Sequence, residues 1–404
     1  MESFEMKPLS SRERLLATIR CQEPDYVPLL LHPFGFRPWW TADWSDWDQV
    51  VQAKAWLEMG LDAWLGVEPP MTFHPDVTVR WRTERRAQDR WPCMINEYET
   101  PAGTLRQEVF LTDDWISSDW PEHRGVAPCI SLLDDYNVPR YRACMIQDEQ
   151  DVEKLKYLLT PMTDKQATHL REQTAAVAAE ARRLGVLLRA TASSGTDAAV
   201  WLCGVEPLVN MAIDRPDLFD ALLDIIHRRE KRNVEVLLDT PVDLIMRRGY
   251  YEGTSFWSPS IYRHFFQPRI KELTNLVHQG GRLMGYTMSV GFMPLHHELL
   301  EIGYDMHFLL DPLEPGGGPA DLPKLKAAWN GRISVFGGIN QHITLQRGSV
   351  EDVRREVFST VRTLGPGGGL CLVPVEAIHS FTPRRSLEAV LDAWKEIRRY
   401  PLGA

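Results

Sequence analysis

The stretch that most constrains this chain runs from Val335 to Pro383. It opens with the apolar run Val335-Phe336-Gly337-Gly338-Ile339, which ends in Asn340-Gln341-His342. A helical segment follows from Ser349 to Leu364. Then come Gly365-Pro366-Gly367-Gly368-Gly369 and a second apolar run, Leu370-Cys371-Leu372-Val373-Pro374-Val375, ending in Glu376 and His379. A near-continuous apolar strand is one covered on both faces, as in a parallel sheet. Polar residues then gather at the strand's C-terminal tip, where the next loop starts. In a closed barrel those tips converge on one mouth, where such barrels carry their chemistry. The Gly-rich turn precedes a strand and does not open a helix, so it reads as a helix stop and turn and not as a phosphate cradle.

The same rhythm recurs along the chain. Apolar runs over 26–31, 61–67, 185–191, 242–246, 282–288 and 304–310 each lead to a polar tip, and helical segments lie between them. With the two runs above this gives eight strand–helix units after a first helix near Arg12–Arg20, and eight closes a parallel barrel. The expected fold is α/β, a (β/α)8 TIM barrel spanning 1–404 as one domain. A doubly wound open sheet is the alternative, but a Gly-x-Gly-x-x-Gly after the first strand is missing. Between Val77 and Thr112 the period changes to two around Pro101-Ala102-Gly103. That marks an inserted antiparallel hairpin, placed in an insertion over about 70–150 and expected to rise over the mouth. Residues 113–148 read as irregular.

Composition excludes several partners. A formal net charge of −10 argues against nucleic acid or an anionic membrane as the main partner, since either calls for a basic face. The six cysteines are scattered without a Cys-x-x-Cys pair, which fits a reducing compartment. The N-terminus shows neither a basic region nor an apolar core of the secretory kind, and no run approaches the roughly 20 apolar residues that span a bilayer. A cytoplasmic location and a small-molecule substrate are expected.

The strand tips supply the candidate site. Glu376, Tyr286, Arg248 and His379 are the catalytic candidates. His32, Glu68, Arg247, Glu252 and Asn340 are candidates for substrate binding, with Arg37, Trp39 and Trp40 from the aromatic stretch after the first strand. A carboxylate at a tip, such as Glu376, can act as general acid or base where apolar neighbours raise its pKa; it can equally be a solvated partner of Arg384. The forked guanidinia of Arg247 and Arg248 suit either a substrate carboxylate or a buried ion pair. Trp39 and Trp40 can stack a flat ring or pack as a lid.

Read in order, these segments resemble the uroporphyrinogen decarboxylase superfamily. Arg12-Glu13-Arg14-Leu15-Leu16 with Glu23-Pro24-Asp25-Tyr26-Val27-Pro28 looks like its opening. Tyr98–Leu105 is similar to a hairpin of its methyltransferase-like branch. Gly337-Gly338-Ile339-Asn340 and Thr382-Pro383 resemble its C-terminal signature. The resemblance implies a (β/α)8 barrel and one of two chemistries. One branch decarboxylates porphyrinogen acetates without a cofactor, using an Arg-x-x-Gly-Arg segment after the first strand. Here that place reads His32-Pro33-Phe34-Gly35-Phe36-Arg37, and Glu376 stands where that branch has a late His. Glu68 is the nearest counterpart of its pyrrole-binding acid.

The other branch moves methyl groups between a methylated substrate, a corrinoid protein and a thiol. Several members bind zinc through His-x-Cys and a late Cys. Those positions read Thr287-Met288-Ser289 and Glu376, so the usual zinc triad is not intact and no metal ligand is assigned. The resemblance thus favours a methyltransferase of the O-demethylase type. It would move a methyl group from a small methylated, aromatic substrate to a corrinoid protein, with Glu376 or Tyr286 assisting the leaving oxygen. A homodimer is a further expectation. The alternative is a cofactor-free decarboxylase of a pyrrolic or aromatic acid, with Arg247 or Arg248 holding the carboxylate. A barrel that only binds its ligand is a third reading.

Overall fold

The computed structural model describes residues 8–32, 48–113, 131–314, 318–376, 378–379 and 381–402. Among these, eleven strands follow in chain order. They are β1 (Trp64–Val67), β2 (Thr78–Glu84), β3 (Cys93–Thr100), β4 (Gly103–Phe110), β5 (Tyr141–Ala143) and β6 (Leu187–Ser193), then β7 (Leu244–Arg248), β8 (Leu283–Thr287), β9 (Met306–Leu310), β10 (Ser334–Ile339) and β11 (Leu370–Pro374).

Seven of them form a parallel sheet in the order β1-β6-β7-β8-β9-β10-β11. The segment around Leu29 fills the gap between its two ends. Leu30 N–H donates to Leu372 O at 3.0 Å, Leu372 N–H to Pro28 O at 2.9 Å, and Asp62 N–H to Leu29 O at 3.1 Å. The sheet therefore closes on itself as an eight-membered barrel, as the strand count requires. Alternation sorts each strand into two faces. Trp64, Leu187, Leu244, Met246, Met306, Phe308, Phe336, Cys371 and Val373 pack together inside the barrel. Leu65, Leu188, Ile245, Met284, Tyr286, Val335 and Leu372 belong to the larger core under the surrounding helices.

The opening motif has a physical explanation. Helix Ser11–Ile19 starts with a capping box between Ser10 and Glu13. Its Leu15, Leu16 and Ile19 pack with the residues inside the barrel. Arg14 is buried and bidentate to Asp25, at 2.6 and 2.9 Å, and reaches Asp62 at 2.7 Å. Arg14 and Asp25 thus tie the first helix to the first strand and to the approach of β1. At the other end of the chain, helix Arg384–Ile397 buries Leu387, Val390 and Trp394, and the Trp394 indole N–H donates to Val27 O at 2.7 Å.

The signature Gly337-Gly338 marks a place where nothing larger fits. Gly338 has φ +86°, and a Cβ there would stand 2.4 Å from Thr360 Cγ2. The β9–β10 register shifts at the same point.

The insertion is larger than a hairpin. β3 and β4 do pair antiparallel around Pro101-Ala102, but β2 and β5 flank them in a sheet of order β2-β3-β4-β5. β5 was hidden because three residues are too few to show a period. The short helix Asp135–Arg140 before β5 joins the sheet to the mouth: Asp135 accepts from Tyr251 OH at 2.6 Å and from Trp201 Nε1 at 2.8 Å. Two further features concern helices. Gly195–Cys203 is a helix buried on every side, Thr196 and Asp197 included; a helix covered all round shows no amphipathic stripe. The helical segment between β7 and β8 has a wide turn over Tyr262–Phe266 before Gln267–Gln279. Among the described residues no helix is long and apolar enough to cross a membrane.

Candidate active site at the barrel mouth

Alternation divides the expected site residues into two groups. At β7, Met246 faces inward, so Arg247 faces the helices and Arg248 the mouth. At β8 a Cβ on Gly285 would touch Met306 and Met246, both inside the barrel, so Tyr286 faces outward. Arg247, Tyr286 and Glu252 meet there in a buried network. Arg247 donates to both Glu252 oxygens, at 2.6 and 2.7 Å, Tyr286 OH donates to Oε2, and Thr196 N–H donates to Oε1 at 2.9 Å. Burial alone would raise the Glu252 carboxyl, but these donors outweigh it and hold it below the usual range. Glu230 lies 3.8 Å from Arg247 Nε and accepts Gly195 N–H at 2.6 Å. Gly195 must be glycine: at φ +53° its Cβ would stand 2.5 Å from Arg248 O. Of the two roles open to Arg247, the structure shows the buried ion pair. Tyr286 and Glu252 are wholly buried in the same network.

The second group lines the mouth. Asn340, at the tip of β10, donates to both oxygens of Asp311 at the tip of β9, at 3.0 and 2.9 Å. Its own N–H donates to Glu356 at 2.7 Å, and its Oδ1 caps the turn at Ile343. Burial pushes Glu356 up to about 7. Asp311 is pushed up to about 6, by burial first and by the nearby Glu376 charge, against the opposing Asn340 and Leu313 donors.

Glu376 stands beside this cluster in an unusual backbone state. Its φ is +63°, in the left-handed region that side chains other than Gly rarely adopt. Its Oε2 lies 3.3 Å from His342 Nε2. The His342 ring stacks near His379, with centroids 5.8 Å apart, and His379 stacks on Phe381 at 5.0 Å. Gln341 donates to Thr382 Oγ1 at 2.5 Å, which links the tip of β10 to the loop after β11. Burial lowers the His379 pKa, and His342 lowers it further.

Arg189 and Arg248 bring positive charge to the rest of the mouth. His32 is pushed down to about 4, by burial first and then by the charges of Arg189, Arg248 and His379. Arg248 lies 3.5 Å from Asp197 and over the rings of Trp201 and Tyr250. Asp197 is wholly buried and pushed up to about 7, chiefly by that burial. Glu68 is exposed just beyond β1. Arg37, Trp39 and Trp40 lie outside the described residues. The sequence reading passed over Arg189; its signal was a lone charge inside the apolar run of β6.

The mouth makes a testable statement about pH. Asp311 has its folded pKa raised from 3.8 to about 6. The folded state therefore binds more protons than the unfolded state between these values, and stability from this group is present below pH 4 and lost as pH rises through 6. Asp311→Asn removes that dependence. The wild-type-minus-variant difference in unfolding free energy, measured in urea from pH 4 to 7, should fall by up to about 3 kcal/mol; parallel curves would contradict it.

Comparison with known proteins agrees with this architecture. The family model described as Uroporphyrinogen decarboxylase (URO-D) matches residues 132–397, well over half the chain. The chain belongs to that family. No curated protein matches the sequence. Among solved structures, a methyltransferase from Methanosarcina mazei is similar over 96% of this chain and 99% of the other, at 18% identity and a TM-score of 0.54. That likeness supports the URO-D barrel as the fold. A putative vitamin-B12 independent methionine synthase from Listeria monocytogenes is more distant, with 12% identity and a TM-score of 0.35 over 53% of this chain and 64% of the other.

The zinc known from part of this superfamily does not fit here. The positions that resemble its ligands are Thr287, Met288, Ser289 and Glu376, and the first three are buried. Among the described residues no group of three or more His, Cys, Asp or Glu could hold a metal ion. A tetrahedral N/S site needs such a group.

Proposed function

We propose that this URO-D family protein is a methyltransferase of the O-demethylase type, acting on a small methylated, aromatic substrate with a corrinoid protein as methyl acceptor. The observation that carries the reading is Glu376, held at φ +63° against His342 at the mouth. Strained non-glycine residues persist where the surrounding structure fixes them, and they cluster at active sites. A corrinoid acceptor would take up the methyl group as its bond to oxygen breaks; the oxygen keeps the electron pair and needs a proton. The Glu376–His342 pair stands where it can relay that proton, imidazole and carboxyl groups being the commonest general acids and bases in proteins. Asn340 fixes Asp311 and the turn carrying His342. Tyr286 is left out of this scheme because Glu252 already accepts its hydroxyl inside the wall.

The alternative is decarboxylation, favoured by one specific observation: Arg189 and Arg248 both bring positive charge to the mouth beside His32. The two are separated by mixing the protein with methoxylated benzoates and cob(I)alamin. Spectral conversion of cob(I)alamin to its methylated form supports the first reading. Release of CO2 without methyl transfer would replace it with the second.

A further inference from the structure

Among the described residues, Arg189 is a charge without a carboxylate paired to it. It sits in β6 where its neighbours Leu188 and Ala190 are buried. Its guanidinium lies beside Gly66 and over the Trp64 ring, with Cζ 5.1 Å from the ring centroid. Its one side-chain hydrogen bond goes from Nη1 to Thr191 Oγ1 at 2.7 Å, and its buried Nε has no partner. Among the described residues it forms no ion pair, unlike Arg14 and Arg247, whose buried guanidinia meet carboxylates at 2.6–2.7 Å. The nearest acidic influence is Glu68, exposed beyond β1.

Burial lowers the Arg189 pKa, and among the described residues no carboxylate pairs with the cation to offset its desolvation. A guanidinium stays protonated in proteins, so the deficit persists until an anion arrives. Beneath it, Trp64 stacks parallel to Phe336 at 6.4 Å and packs on Phe308 at 5.3 Å. The barrel thus sets one forked cation over a half-buried indole that is backed by buried aromatic rings. That combination suits a planar ring bearing a carboxylate, which a guanidinium binds through two parallel N–H donors.

We propose that Arg189 is the substrate-anchoring residue, and that the substrate is a small aromatic carboxylate whose acid group docks on this guanidinium beside Trp64. The reaction proposed above supplies only the choice of probe. Binding of 4-methoxybenzoate and of its neutral amide is measured by calorimetry on the full chain. The acid should bind wild type at least 10-fold more tightly than the amide. Arg189→Met should abolish that preference, and Arg189→Lys should restore part of it, with thermal midpoints checking that both fold. Inorganic phosphate should compete weakly if at all. Equal binding of acid and amide by wild type, or no binding of the acid, overturns the proposal with no variant needed; so does an Arg189→Met protein that keeps the preference, or binding of phosphate alone. The two readings fail separately. Acid preference that depends on Arg189, without methyl transfer, removes the reaction and keeps the anchor. Methyl transfer from methoxybenzene as fast as from the acid keeps the reaction and removes the anchor.

Discussion

Glu376→Gln is expected to lower the rate of methyl transfer by about 10²–10⁴-fold, the usual contribution of a positioned acid, with little change in stability. Glutamine keeps the volume, the strained backbone and a hydrogen bond to His342, but it cannot carry the transferred proton. Two more substitutions at the same position isolate the strain. Alanine and glycine both delete the carboxylate, and only glycine accepts φ +63° freely. Glu376→Gly should therefore be more stable than Glu376→Ala by about 1 kcal/mol, measured by denaturant unfolding, while both are as slow as the glutamine variant. A position that is stabilised by the residue that inactivates it is one where function holds a strained conformation in place. Retention of wild-type rate in Glu376→Gln would remove Glu376 from the chemistry and leave His342 and Asp311 to be tested next.

The barrel was legible because its signal is repeated. Each strand shows the same apolar run and polar tip, so an error in one unit leaves the count intact. The site was legible only as positions along the chain. Sequence places Arg247, Arg248 and Glu252 within six residues of one another, yet strand alternation sends Arg247 into the wall and Arg248 to the mouth. Which parity faces inward is fixed by the packing of Met246 and Gly285 against Met306. No residue in the run announces that choice. Arg189 was missed for the complementary reason: one charge inside an apolar run reads as a strand defect until it is seen to form no ion pair among the described residues. The link between Gln341 and Thr382, 41 residues apart in sequence, joins the loops that follow neighbouring strands.

Breaking the wall network should cost more stability than the Glu376→Gln substitution at the mouth. Arg247 and Glu252 have side chains 5% and 0% exposed, and each satisfies the other. Removing either partner leaves a buried charge uncompensated, which typically costs 3–5 kcal/mol. Arg247→Met and Glu252→Gln should each lower unfolding free energy by about that much. The double replacement Arg247→Met with Glu252→Leu should cost less than the sum of the two single changes, because no charge is then stranded. Tyr286→Phe removes one donor from a carboxylate that keeps three others, from Arg247 twice and from Thr196, so about 1–3 kcal/mol is expected. The same variant decides the role of the hydroxyl. If Tyr286 serves only the wall, the methyl-transfer rate of the folded variant stays within a few-fold of wild type. A loss of 100-fold or more in a stably folded Tyr286→Phe protein would mean that the wall opens during turnover and that the proton reaches the substrate from Tyr286 and not from the Glu376–His342 pair.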